Sequence, residues 1–143
     1  MQQDDKTVAM ITNPDEPLHR MWLRPIPKRV SVTADGAHIA QSDRAVRLIE
    51  IGNTVYEPII YLPRADCQAE LIRRSERTHC PLKGEATYFD VFPQAVHARL
   101  ERLAWAYPDP YPFAAALAPL IALDPARVTI TETPWAPRGD EQA

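Results

Sequence analysis

Arg29-Val30-Ser31-Val32-Thr33-Ala34-Asp35-Gly36-Ala37-His38-Ile39-Ala40-Gln41-Ser42 carries the plainest structural signal in the chain. From Arg29 to Ala34, apolar and polar residues alternate, the period of a strand with one buried face rather than of a helix. Asp35-Gly36 supplies the two residues of a tight hairpin turn, and a second run continues to Ser42. Pairing around that turn sets Ala34 opposite Ala37, Val32 opposite Ile39 and Val30 opposite Gln41. Val30, Val32 and Ile39 then share a buried face. Thr33 and His38 pair on the other face, which leaves His38 in solvent rather than in a site.

Strand signals recur on both sides of the hairpin. Val46 to Ile51 is one, ended by Gly52-Asn53. Val55 to Leu62 is another, with Pro58 marking an edge or bulge and Pro63 stopping it. Pro63-Arg64-Ala65-Asp66 reads as a turn or a single helical turn, and Leu71-Ile72 leads into a loop. Glu85 to Phe92 is a further strand, followed by a Pro93-Gln94 turn. Phe113 to Ala116 is a short alanine-rich turn, and Leu117 to Leu123 and Arg127 to Thr131 close the domain around Asp124-Pro125. Residues 94–107 are ambiguous. Val96, Leu100, Leu103 and Tyr107 have helical spacing, yet Leu103, Trp105 and Tyr107 also alternate; period alone favours the helix. Residues 1–27, broken by prolines, read as an irregular arm in which Trp22 covers a core edge, and 133–143 as a loose polar tail.

The chain has 143 residues, of which 45% are hydrophobic and 24% charged, the composition of one globular domain. Its 15 prolines against 4 glycines disfavour long helices and suit short strands joined by shaped loops. Net charge is −3, and Lys28-Arg29 and Arg73-Arg74 are the only dense basic runs, so no nucleic-acid partner is expected. No apolar run reaches the length of a membrane span. The start, Met1-Gln2-Gln3-Asp4-Asp5-Lys6, lacks the pattern of a signal peptide. A cytoplasmic location with Cys67 and Cys80 as reduced thiols is therefore the expectation.

Reactive side chains concentrate in Thr78-His79-Cys80-Pro81-Leu82-Lys83-Gly84-Glu85-Ala86-Thr87-Tyr88. Pro81 and Gly84 hold a loop in one shape at a strand entrance, a common place for a site. Cys80 has two readings: a nucleophile with Lys83 favouring its thiolate, or a small buried residue that fixes the loop. The second is preferred, because no resolving cysteine and no Cys-His-Asn signature accompany it. Lys83 has several readings: gripping an anion, pairing with Glu85 or Glu50, forming a Schiff base, or standing as a solvated surface charge. Glu50 shares its strand face with Val46 and Leu48, which directs it either to solvent or into a pocket. Glu85 alternates away from Ala86 and Tyr88 and is expected outside; His79 has the weaker claim. Tyr61, Tyr88, Trp105 and Tyr107 each join an apolar ring to a polar tip, as pocket walls do.

The order Ser42…Glu50…Pro58…Tyr61-Leu62-Pro63…Asp66, then Cys80-Pro81-Leu82-Lys83-Gly84-Glu85-Ala86-Thr87-Tyr88, then Ala104-Trp105-Ala106-Tyr107-Pro108-Asp109-Pro110 resembles the bacterial family of domain of unknown function 427. The resemblance covers roughly residues 29–131 and implies a mainly β fold. Two small antiparallel sheets in a β-tent-like arrangement, few short helical turns and a ligand-sized groove are what it leads us to expect. Under it residues 28–132 form a single domain, and residues 100–106 become a strand against their helical period. A nucleotidyltransferase-type label is attached to the family in places; no phosphate-cradling glycine loop or acidic metal pair supports it here. Other β-tent proteins hold zinc through two Cys-x-x-Cys pairs. With only Cys67 and Cys80, this chain is expected to hold no metal and to need no cofactor. The expectation for function is a small-molecule-binding domain whose groove is lined by Glu50, Tyr61, Cys80, Lys83, Tyr88 and Trp105. The alternatives are an enzyme using Cys80 as nucleophile or Lys83 as base or amine, and a protein-interaction module.

Overall fold

Strand-forming runs punctuated by turns give the whole chain its form. The computed structural model describes residues 9–135. In chain order the strands are β1 (Ile11–Asn13), β2 (Glu16–Pro25), β3 (Lys28–Ala34), β4 (Ala37–Ser42), β5 (Val46–Ile51) and β6 (Ile59–Pro63). They continue as β7 (Glu70–Cys80), β8 (Gly84–Phe92), β9 (Leu100–Ala106), β10 (Leu120–Leu123) and β11 (Thr129–Pro134). Single 3₁₀ segments occupy Arg64–Asp66 and Pro112–Leu117. The strands make two antiparallel sheets, as the mainly β expectation requires, but of unequal size: an eight-stranded sheet ordered β1-β2-β5-β6-β10-β9-β8-β7 and a three-stranded sheet ordered β11-β3-β4. No helix among the described residues is long and apolar enough to cross a membrane.

The β3–β4 hairpin turns at Asp35 and Gly36, with φ of 51° and 79°, as a two-residue turn demands. Ala34 faces Ala37 and Thr33 faces the exposed His38, but a bulge then shifts the register. Val32 lies opposite Ala40 rather than Ile39, and Val30 opposite Ser42 rather than Gln41. Ile39 and Ala40 are consecutive and both buried, which a regular strand does not allow; the bulge turns both inward. Val30, Val32 and Ile39 do share the buried face. They pack with Leu62, Phe89, Val91, Ala104 and Ile121 of the larger sheet to form the core between the sheets.

Three other expectations are corrected. Of the irregular arm expected over residues 1–27, residues 1–8 lie outside the described part of the chain and the rest is not irregular: β2 is a ten-residue strand paired with β5, and Pro17 and Pro25 sit near its two ends, where missing donors cost the ladder little. The loop expected after Leu71-Ile72 is the end of β7, so Thr78 to Tyr88 forms the tip of the β7–β8 hairpin, with only Pro81, Leu82 and Lys83 between strands. The strand expected from Val55 begins at Ile59; Val55 makes a single bridge to Ile51. The stretch 100–106 is a strand, as the family resemblance implied and the helical period did not. The polar tail read from 133 onward begins inside β11, and its residues 136–143 lie outside the described part of the chain.

An irregularity in β9 matters for the site. Between the pairs Phe89↔Ala104 and Val91↔Leu100, two steps along β8 are matched by four along β9, and Arg102 takes a φ of 55°. Asp90, 3% exposed, accepts the Arg102 backbone N–H freed by this bulge at 2.8 Å, together with Arg74 and Arg99 guanidinium donors, each at 2.7 Å. Burial opposes ionisation of Asp90, but these donors outweigh it and bring its pKa down to about 2. Because the folded value lies below the unfolded one, the stabilisation is complete above about pH 4. It is lost as the pH falls towards about 2. The melting temperature of the wild type should therefore drop between pH 4 and 2 more steeply than that of Asp90→Asn; parallel profiles would remove Asp90 from the account.

Candidate functional site

The face of the larger sheet turned away from the smaller one carries the polar aromatics. Register explains why. Val46 lies opposite Tyr61, Tyr61 opposite Ala122, Ala122 opposite Trp105 and Trp105 opposite Tyr88, one continuous row across β5, β6, β10, β9 and β8. Ala122 is small, so the Trp105 indole N–H reaches across it to donate to Tyr61 Oη at 3.0 Å. Tyr88 Oη meets Thr78 Oγ1 at 2.7 Å. The Arg102 guanidinium, placed by the β9 bulge, lies 4.1 Å from the centre of the Tyr88 ring.

Glu50 is two residues beyond Leu48 on β5 and so points to the same face. Its Oε1 accepts from Lys83 Nζ at 2.7 Å and its Oε2 contacts His19 Nε2 at 2.6 Å. Lys83 itself is only 6% exposed, and its Nζ lies 5.7 Å from the centre of the Tyr107 ring. Burying an ammonium and a carboxylate costs several kcal/mol each unless they are paired. The alternatives of a solvated Lys83 and of a pair with Glu85 are therefore set aside: Glu85 is exposed. Cys80 Sγ lies 3.7 Å from Lys83 Nζ, its sole hydrogen-bond contact among the described residues. Cys67 belongs to the other core, so the two thiols are not brought together.

The hairpin tip is locked from two sides. Lys83 C=O accepts the Tyr111 N–H at 3.2 Å, and Gly84 bridges to Pro110. Gly84 has a φ of +107°, and a Cβ there would stand 3.3 Å from Tyr111 N and 3.4 Å from Pro110 Cα. Only glycine combines that backbone with that approach, which is why the Cys-Pro-x-Lys-Gly and Trp-x-Tyr-Pro blocks belong together. On the other side, Asn13 Nδ2 donates to Pro81 C=O at 2.9 Å, and Tyr111 Oη meets His79 Nε2 at 3.0 Å.

Two cavities adjoin the Glu50–Lys83 pair. The smaller, about 320 Å³, is walled by Tyr61, Tyr88, Trp105 and Tyr107, with Arg102 and Asp124 also on its lining. The larger, about 750 Å³, is bounded by His19, Tyr56, His79 and Cys80. Of the six residues expected to share a groove, Glu50, Tyr61, Lys83, Tyr88 and Trp105 line the smaller cavity, while Cys80 opens only to the larger one with Glu50 and Lys83. His19, Arg102 and Asp124 were not anticipated. His19 was legible in principle, since it alternates with the buried Met21 and Leu23, but the flanking prolines masked that period. Arg102 carries no local signal, because its position depends on the bulge. Burial pushes the phenols of Tyr61 and Tyr107 above the ordinary tyrosine value, so both remain donors at neutral pH. Among the described residues, no group of three or more His, Cys, Asp or Glu is arranged to hold a metal ion.

Fold and site together define a mainly β domain in which a buried, bridged charge pair stands between an aromatic cavity and a larger one. The family model described as domain of unknown function (DUF427) matches residues 22–133, and the chain belongs to that family. The match starts within β2, which places part of the supposed arm inside the family domain. No curated protein matches the sequence.

Proposed function

We propose that this domain binds a small organic molecule in the aromatic cavity, with Glu50 and Lys83 forming its polar wall. The observation that carries this reading is the placement of the Glu50–Lys83 pair. A buried ion pair is often no more stabilising than well-packed apolar residues of the same volume, so stability alone gives little reason to retain one. Here the pair lines both cavities, where its remaining hydrogen-bonding capacity faces space a ligand can fill. A few convergent polar groups set among aromatic walls are the common make-up of a ligand pocket, and about 320 Å³ is at the lower end of pocket sizes.

An unbiased metabolite screen by thermal shift tests the proposal when run beside the Ile59→Trp variant. Ile59 lies opposite Leu48 on the cavity lining, and an indole there occupies the space. At least one metabolite should raise the melting temperature of the wild type and leave that of Ile59→Trp unchanged. No shift with any compound, or equal shifts in both proteins, would refute it.

A further inference from the structure

The hydrogen-bonding capacity of the smaller cavity is one-sided. An ammonium offers three donors and a guanidinium five, with no acceptor on either, and a phenol offers one donor. Tyr61 Oη accepts from Trp105, which leaves its own proton without a protein acceptor among the described residues, on a side chain whose residue is 2% exposed. Tyr107 Oη has no hydrogen-bond partner among the described residues. Lys83 places one N–H on Glu50 and faces the weakly accepting Cys80 sulfur, which leaves capacity over. Arg102 meets Glu76 only at 3.6 Å, through its Nε. On the acceptor side, both Glu50 oxygens are engaged. Asp124 Oδ1 takes the Ala126 N–H at 3.0 Å, leaving one carboxylate oxygen. Tyr61, Tyr107, Lys83 and Arg102 thus bring spare donors to a cavity whose one free carboxylate oxygen is on Asp124, the neutral phenol oxygens being weaker acceptors.

Tyr107 Oη and the half-exposed Arg102 reach the open side of the cavity, so a ligand that displaces water from these donors must supply acceptors in its place or forfeit their hydrogen bonds. The walls that remain are aromatic faces together with Leu48 and Ile59, and the aromatic faces favour a flat ring over a branched chain. The volume of about 320 Å³ equals the liquid share of about ten waters, enough for a one- or two-ring molecule. We infer that the ligand is a small aromatic carboxylate. Its ring lies among Tyr61, Tyr88 and Trp105, and its carboxylate accepts from Lys83 and the Tyr61 and Tyr107 hydroxyls. Arg102, on the Tyr88 ring, adds the positive field that draws an anion in. This inference rests on the binding reading above and narrows it to one chemical class.

Calorimetric titration with three probes of one shape decides it: 2-naphthoate, 2-naphthamide and 2-naphthylmethylamine. The naphthoate should bind at least about tenfold more tightly than the amide, and the amine should not bind, because a hydrogen bond to a charged group is worth roughly a factor of ten or more. Tyr107→Phe keeps the ring and removes only the hydroxyl; it should weaken naphthoate about tenfold. Arg102→Met should weaken naphthoate and flatten its salt dependence. Amide or amine binding as tight as naphthoate, or naphthoate binding unchanged in both variants, would overturn the inference. If none of the probes binds while the screen yields a metabolite lost in Ile59→Trp, the carboxylate assignment fails and the binding reading stands. If neither the probes nor the screen gives a ligand, both fail.

Discussion

Replacing Lys83 with methionine is expected to cost about 3–5 kcal/mol of stability, far more than the 0.5 kcal/mol or so of an ordinary surface substitution. Methionine fills a similar volume, so the loss is electrostatic in origin. Glu50 would keep His19 on Oε2 but would lose the ammonium 2.7 Å from Oε1, while remaining largely shut off from water. The double variant Lys83→Met/Glu50→Gln removes both charges, and most of the loss should return. Chemical denaturation of the wild type, both single variants and the double variant reads this directly as a coupling energy. Additive losses, or a Lys83→Met variant as stable as the wild type, would mean that the pair is solvated and is no wall at all.

Leu82→Ala should cost about 2–5 kcal/mol, although Leu82 is the middle residue of a three-residue turn at a hairpin tip. Apolar residues in such turns ordinarily stand in water and contribute little. Leu82 is 0% exposed and belongs to the cluster formed by Met21, Leu48, Tyr107 and Leu117, beneath the 3₁₀ segment that folds over the tip. Truncation leaves a cavity in a region held by the Asn13–Pro81 and Tyr111–Lys83 bonds, which limits collapse around it. The denaturation midpoint should move with little change in slope. A loss below about 0.5 kcal/mol would show that the tip is solvent-exposed and that the Cys-Pro-x-Lys-Gly turn does not seal the aromatic face.

Much of this arrangement was legible where local pattern and pairing agree. Alternation placed Glu50 with Val46 and Leu48, and the turn at Asp35-Gly36 located the β3–β4 hairpin, because both signals are carried by neighbouring residues. A pair with Glu50 or Glu85 was one of several readings of Lys83, and alternation with Ala86 and Tyr88 already turned Glu85 outward, as its exposure shows. What escaped depended on long-range geometry. The β9 bulge at Arg102 is stabilised by Asp90 on the neighbouring strand, and no feature near Arg102 announces it. His19 reaches Glu50 because β2 pairs with β5, with Met21 opposite Glu50. Prolines at 14, 17, 25 and 27 made that segment look irregular, although their positions at strand ends cost the sheet little. Helical spacing misled at 94–107, since tertiary pairing on both sides of β9 overrides local period. Ser42 and Asp66, part of the family pattern, prove to be a structural latch: Ser42 Oγ donates to Asp66 Oδ2 at 2.5 Å, and Arg44 closes on the same carboxylate at 3.1 Å.

The central claim is that a small molecule is held on the aromatic row beside Glu50 and Lys83, and the chain contains its own reporters. Its three tryptophans stand at positions 22, 105 and 135, and only Trp105 lines the smaller cavity. In a proton–nitrogen spectrum, titration with a metabolite found by the screen should move the Trp105 indole N–H resonance in a saturable way, as its bond to Tyr61 adjusts to the occupied cavity. The Trp22 and Trp135 indole resonances should stay in place. A titration that shifts Trp22 or Trp135 while the Trp105 resonance remains fixed would contradict the claim.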